Sequence, residues 1–245
     1  MIKKTWTITY CVDIPSLEVE AESFIKAVEK VKDKLDYAYL EGADLKDADL
    51  EFASLSCANL VHACLNSAHL KHAYLKGANL DYADLEGVDL EDAYLEYASL
   101  KNADLDGADL RYADLRYADL KDACLNGASL DYADLKRADL SNTYLKYAYL
   151  IGADLNGASL KRANLKYAYL NSADLHDTYL KNAHLEGANL YKADLRGVSF
   201  EGVNLRYVDL KGVYLEDAYL NGVKGLIWTN PYSINIKEKK EKKDD

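Results

Sequence analysis

The chain has 245 residues and a formal net charge of −11, enough material for a sizeable core; that charge argues against nucleic acid or an anionic membrane as a partner. No run of about 18 apolar residues occurs, so no helical membrane span is expected. The four cysteines, Cys11, Cys57, Cys64 and Cys124, lack the paired spacing of a secreted disulfide scaffold, which suggests a reduced, cytoplasmic protein.

The N-terminal stretch from Met1 to Ile14 only loosely imitates a signal peptide, because threonines, Tyr10 and Asp13 interrupt it and no small-x-small site follows. Residues 5–14 instead alternate Trp6, Ile8, Tyr10, Val12 and Ile14 with polar side chains, the period of a strand. Pro15-Ser16 marks a turn and Leu17 to Ala21 a second strand. Ser23 is placed to N-cap a helix with the stripe Phe24, Ala27, Val28, Val31 and Leu35. This ββα unit, residues 1–35, is too small to stand alone. It is expected to close a larger structure, or to pair with a second chain through Trp6, Ile8, Tyr10 and Phe24.

From Leu35 to Leu220 every fifth residue is leucine; of these 38 positions only Phe200 departs. Three residues after each of these positions stands a small residue, Ala, Val or Thr, from Ala38 to Val223. A helix cannot use this period, because five steps of 100° scatter the leucines around the axis. A flat strand cannot either, since an odd step alternates the faces. The pattern works if the chain turns a corner every five residues. The small residue and the leucine then point inward, the residue between them points out, and the next two make the corner. The period alone does not set the number of sides to a coil.

Twelve of the thirteen glycines, such as Gly42, Gly77, Gly107 and Gly152, fall at the second corner position. Elsewhere that position holds Tyr, Asp, Asn, Arg or Ser, so a mixture of turn types is expected, with positive φ confined to Gly and Asn.

Segments such as Ala43-Asp44-Leu45-Lys46-Asp47 and Ala113-Asp114-Leu115-Arg116-Tyr117 match A(D/N)LXX, and the chain resembles the pentapeptide-repeat family. That resemblance implies an all-β solenoid, a right-handed quadrilateral parallel β-helix, across residues 36–223. With the four sides it implies, a coil holds 20 residues and the run predicts about nine coils, a rod roughly 45 Å long at about 4.8 Å per coil. After it, 224–236 with Trp228 would form a C-terminal cap, and 237–245 a charged tail.

No phosphate-binding, nucleophile-elbow or zinc-protease motif is present, and no catalytic residue, cofactor or metal is expected. Cys57, His62, Cys64, His69 and His72 crowd within sixteen residues, but on a 20-residue coil they occupy different corners and faces. Cys64 and Cys124 share a column three coils apart, about 14 Å, too far for a disulfide.

Outward positions read at intervals of 20 form columns. Asp114, Asp134, Asp154, Asp174 and Asp194 make one acidic stripe, a candidate interaction surface, with Arg116, Lys136, His176 and Arg196 beside it. Residues 36–130 hold 19 acidic and 7 basic side chains, net −12, whereas 131–220 hold 12 and 11, net −1. The expected function is a non-catalytic protein-binding scaffold with a partner the residues do not name. The alternative comes from the resemblance: some pentapeptide-repeat proteins mimic B-DNA and bind DNA gyrase or topoisomerase IV, conferring quinolone resistance. This chain departs from those in carrying the central Phe only once, at Phe200, and in having no loop between coils. Neither nucleic acid nor membrane is an expected partner; a terminal cap offers a homodimer, with a monomer whose ββα unit folds back on its own first coil as the alternative.

Overall fold

The computed structural model describes residues 3–225. Trp228, the rest of the segment 224–236 beyond Gly225, and the tail at 237–245 lie outside the described residues.

The chain opens with strands β1 (Lys4–Ile8) and β2 (Leu17–Ala21), paired antiparallel with Trp6 opposite Val19. The strand expected over 5–14 stops at Ile8; Tyr10 then forms an antiparallel bridge to Ala38 of the repeat. Helix α1 (Phe24–Lys30) follows, its Ser23 hydroxyl accepting from the Lys26 amide at 3.2 Å, which satisfies one donor left open by the first turn. Ala27, Val28 and Leu35 of the expected stripe are buried. Trp6 meets Phe24 edge-on at 5.7 Å and its indole N–H donates to the Ala21 carbonyl.

From Tyr39 onward each outward residue bridges in parallel to the residue 20 positions later, ending at Asn204↔Lys224. Leucines and small residues fill the interior; most are wholly buried, Phe200 included. Alanine beside leucine is what lets four sides converge on one axis without collision. The two threonines buried among the described residues are satisfied, Thr143 donating to the Leu140 carbonyl at 2.7 Å and Thr178 to the Leu155 carbonyl at 2.8 Å.

The segment Ala113–Tyr117 accounts for every backbone donor. Ala113 N–H closes the turn on the Leu110 carbonyl (3.1 Å), Asp114 N–H reaches Ala93 of the coil before (2.9 Å), and Leu115 N–H reaches Asp134 of the coil after (2.8 Å). Tyr117 N–H donates to the Lys136 carbonyl (3.0 Å), leaving only the Arg116 amide, which the Asp114 carboxylate accepts at 3.2 Å. The Asp or Asn before each leucine is therefore a cap for the following corner.

Where that residue is missing, the coil beneath supplies the acceptor at several corners. Asp81 caps Lys101, Asp106 caps Asn126, Asn126 caps Lys146, and Asp131 caps Ile151, each from 20 residues earlier.

The expected mixture of turns is overturned. Every second corner position from Tyr37 to Gly222 has positive φ, including Tyr112 (60°), Asp122 (59°), Arg137 (59°) and Lys192 (58°). Each non-glycine residue in this left-handed region costs about 1–2 kcal/mol. Stacking imposes it: the corner N–H must point along the axis at the carbonyl of the following coil, so a corner of another type would break hydrogen bonds to its neighbours.

No helix among the described residues is long and apolar enough to cross a membrane.

Candidate functional site: patterned faces of the coil

Outward side chains fall on four faces, named here by one residue of each column: the Asp109, Asp114, Asp119 and Cys124 faces, in chain order. The first corner residue leans back over the face it follows, as when Arg116 grips Asp114 or Arg111 grips Asp109.

The acidic stripe is in register, with Asp114, Asp134, Asp154, Asp174 and Asp194 bridged in succession. Each of its carboxylates accepts the amide two residues on. Cations cover most of it: Arg116 binds Asp114 at 2.6 Å, Lys136 spans Asp134 (3.3 Å) and Asp154 (2.6 Å), and Arg196 binds Asp194 at 2.5 Å. Burial opposes the ionised forms of Asp114 and Asp194, but Arg116 and Arg196, with the capped amides, outweigh it and hold both carboxyls below the usual range. The stripe is thus built into the turns and largely neutralised, a role visible only once the amides are traced.

The cysteine–histidine cluster does not converge. His62 stacks on Tyr82 at 5.1 Å, His72 on Phe52 at 4.8 Å, and Cys57 lies beneath Gly77. The structure does gather three carboxylates, Asp89, Glu91 and Asp109, that sequence spacing did not suggest. Lys71 and Arg111 already occupy that group, at 3.0 and 3.1 Å from Glu91, so its charge is met within the chain.

Of the residues expected at a terminal interface, Ile8 is buried within the chain, and Trp6, Tyr10 and Phe24 pack partly against its own core. The first coil's amides are met by this unit: Tyr39 N–H by the Thr9 carbonyl, Ser54 N–H by the Lys32 carbonyl, and Asp49 N–H by the Glu29 carboxylate.

Tyrosines stack between coils, as expected for Tyr97–Tyr117, Tyr112–Tyr132, Tyr147–Tyr167 and Tyr149–Tyr169, at 5.0–5.4 Å; Tyr74–Tyr94 is an additional pair. A solvent-open depression lined by His176, Asp177, Arg196 and Glu216 holds no nucleophile with an adjacent base.

Eight copies of the "Pentapeptide repeats" family match, together spanning residues 34–222. None of the curated proteins compared matches the chain. Among solved structures, the chain is similar to HetL, a pentapeptide repeat protein involved in heterocyst differentiation regulation from the cyanobacterium Nostoc sp. strain PCC 7120. Identity is 36%, covering 77% of this chain and 89% of HetL, with a TM-score of 0.42. A pentapeptide repeat protein from the Arabidopsis thaliana thylakoid lumen is 30% identical over 48% of this chain and 71% of its own, TM-score 0.22. Full-length QnrB1, a plasmid-mediated fluoroquinolone resistance protein, is 16% identical over 58% and 84%, TM-score 0.25. With the repeat matched across most of its length and its five-residue corners on view, the chain belongs to the pentapeptide-repeat family.

Proposed function

We propose that this chain is a non-catalytic binding protein, a right-handed four-sided rod of about nine coils closed at its start by the ββα unit, that engages a protein partner through its outward columns. The observation that carries the reading is the division of labour along the repeat. Inward positions are sealed by leucine and alanine, the backbone donors are spent on stacking, and only the outward columns vary in charge and aromatic content. A filled, convex tube offers surfaces rather than a reaction cleft. The test is capture from cell extract with the wild type and with variants that reverse charges on one face at a time. A partner retained by the wild type and lost with a single face, the fold being intact, supports the reading; a catch indifferent to every face refutes it.

A second reading, DNA mimicry toward gyrase or topoisomerase IV, is favoured by one feature. Asp84, Glu86, Asp104 and Asp106 form an acidic area that no ion pair neutralises among the described residues. A supercoiling assay separates the candidates. Inhibition that survives Asp→Asn changes along the Asp114 stripe but is lost with Asp84→Asn, Glu86→Gln, Asp104→Asn and Asp106→Asn supports mimicry by the Cys124 face. Absence of inhibition removes the mimic for that target.

A further inference from the structure

On the Asp109, Asp114 and Asp119 faces ion pairs within the chain meet many of the charges, while Glu41, Asp81, Asp131 and Asp174 are held by hydrogen bonds with no cation partner among the described residues. Besides the Asp114 stripe, Lys121 reaches Asp119 (3.5 Å) and Asp139 (3.1 Å), and Arg111 reaches Asp109 (2.5 Å) and Glu91 (3.1 Å). The Cys124 face differs. Its bridged column runs Asp84, Asp104, Cys124, Tyr144, Asn164. On the N-terminal side of Cys124 the acids Glu86 and Asp106 lean over it, without a cation among the described residues. On the C-terminal side stand two lysines. Lys146 lies over the Tyr147 ring at 4.9 Å with no carboxylate partner among the described residues, and Lys166 approaches Glu186 only at 3.6 Å.

Shape follows the same division along one edge of this face. Gly87, Gly107 and Gly127 present bare backbone, with nothing within 4 Å of a Cβ built on Gly107 or Gly127. The next two positions in that column are exposed rings, Tyr147 and Tyr167, 49% exposed each.

We propose that two copies of this chain associate antiparallel through the Cys124 face, with a twofold axis in the interface passing over Cys124. The axis exchanges coils equidistant from that residue. Asp106 then opposes Lys146 of the second copy and Glu86 opposes Lys166. Gly107 receives Tyr147, Gly87 receives Tyr167, and Asp104 meets the Tyr144 hydroxyl. Each relation occurs twice, as an isologous interface requires. Register is set by the same residues: a slide of one coil in one direction places Glu86 against Glu186, and in the other it leaves Asp106 opposite Asn126. A parallel arrangement stacks acid on acid. The span from Glu86 to Lys166 is four coils, about 19 Å, below the size of a standard stable interface. The dimer is therefore reversible, concentration-dependent and weakened by salt.

The experiment combines charge reversal with cross-linking. Wild-type protein at high concentration and low salt should sediment as a dimer and dissociate as salt is raised. Two double variants, Glu86→Lys with Asp106→Lys and Lys146→Glu with Lys166→Glu, should each lose self-association by at least about tenfold. An equimolar mixture of the two should restore a dimer, because opposite charges again face one another; misfolded variants would not regain it. In protein with Cys11, Cys57 and Cys64 changed to Ser, an oxidant should join two chains through Cys124. A wild type that stays monomeric, double variants that still dimerise alone (as they would if the terminal unit held the dimer), a mixture that stays monomeric, or failure of Cys124 to cross-link overturns the proposal.

Discussion

Replacing Gly127 and Gly152 by alanine should cost different amounts, although both have φ +66°. For Gly127→Ala the left-handed backbone costs about 1–2 kcal/mol. A stiffer unfolded chain returns about 0.4–1 kcal/mol, leaving a net loss of about 1 kcal/mol, because a Cβ there meets nothing within 4 Å. At Gly152 the added carbon falls 2.7 Å from Tyr132 Cε1 and 2.8 Å from Cδ1. The ring has to lift, disturbing its 5.4 Å stack on Tyr112, a further loss of about 0.5–1.5 kcal/mol. Global unfolding is a poor readout for a stacked array that opens coil by coil. Amide hydrogen exchange in the coils around each site is the suitable assay. In a Tyr132→Ala background the Gly152→Ala penalty should fall to that of Gly127→Ala. Equal penalties in the wild type, or a neutral Gly127→Ala, would refute the reasoning that stacking forces every corner into the left-handed region.

Leu115→Asp should open the coils on either side of it by at least the roughly 2–5 kcal/mol of a leucine cavity, read as fast exchange in neighbouring coils and slow exchange in distant ones; a uniform loss would argue against local coupling. Asp109, Asp114, Asp139 and Asp194 all titrate below the usual 3.8: burial opposes their ionised forms, and their Arg, Lys or Ser partners with the capped amides outweigh it. Their stabilising contribution is thus complete above the unfolded value and lost as pH falls through the lower folded values. Exchange protection should drop below about pH 3.8, and Asn at these four positions, which keeps the amide cap but does not ionise, should flatten that drop. A pH response unchanged by the four Asn would place the acid sensitivity elsewhere.

Much of the molecule was legible from one period. The leucine at every fifth position requires a corner in each segment, and the small residue two before it identifies the inward pair. Ser23 and the first part of the stripe sufficed to place the start of α1, but the helix ends at Lys30, so Val31 and Leu35 of the expected stripe lie beyond it, on either side of a 3-10 turn at Lys32–Lys34. The corner conformation was not legible from residue types, because Tyr112 or Lys192 adopts a left-handed geometry that its own preferences oppose. Hydrogen bonds to the coils before and after impose it, and those partners lie about 20 residues away. The same distance hid the structural role of the Asp114 stripe: in sequence it is a row of like charges, whereas in the fold each acid caps an amide and most meet a cation.

The strict period and the need to bury leucine were enough to place the corners and the inward residues; the 20-residue coil, and with it the columns, came from the family resemblance and is seen in the parallel bridges 20 residues apart. Tertiary structure decided which charges are spent within the chain and which remain for another molecule. That outcome depends on which way each corner side chain leans and on what the adjacent coils set within its reach. On the Cys124 face the acids without an ion pair lie on one side of a cysteine, and lysines with a distant carboxylate or none among the described residues lie on the other.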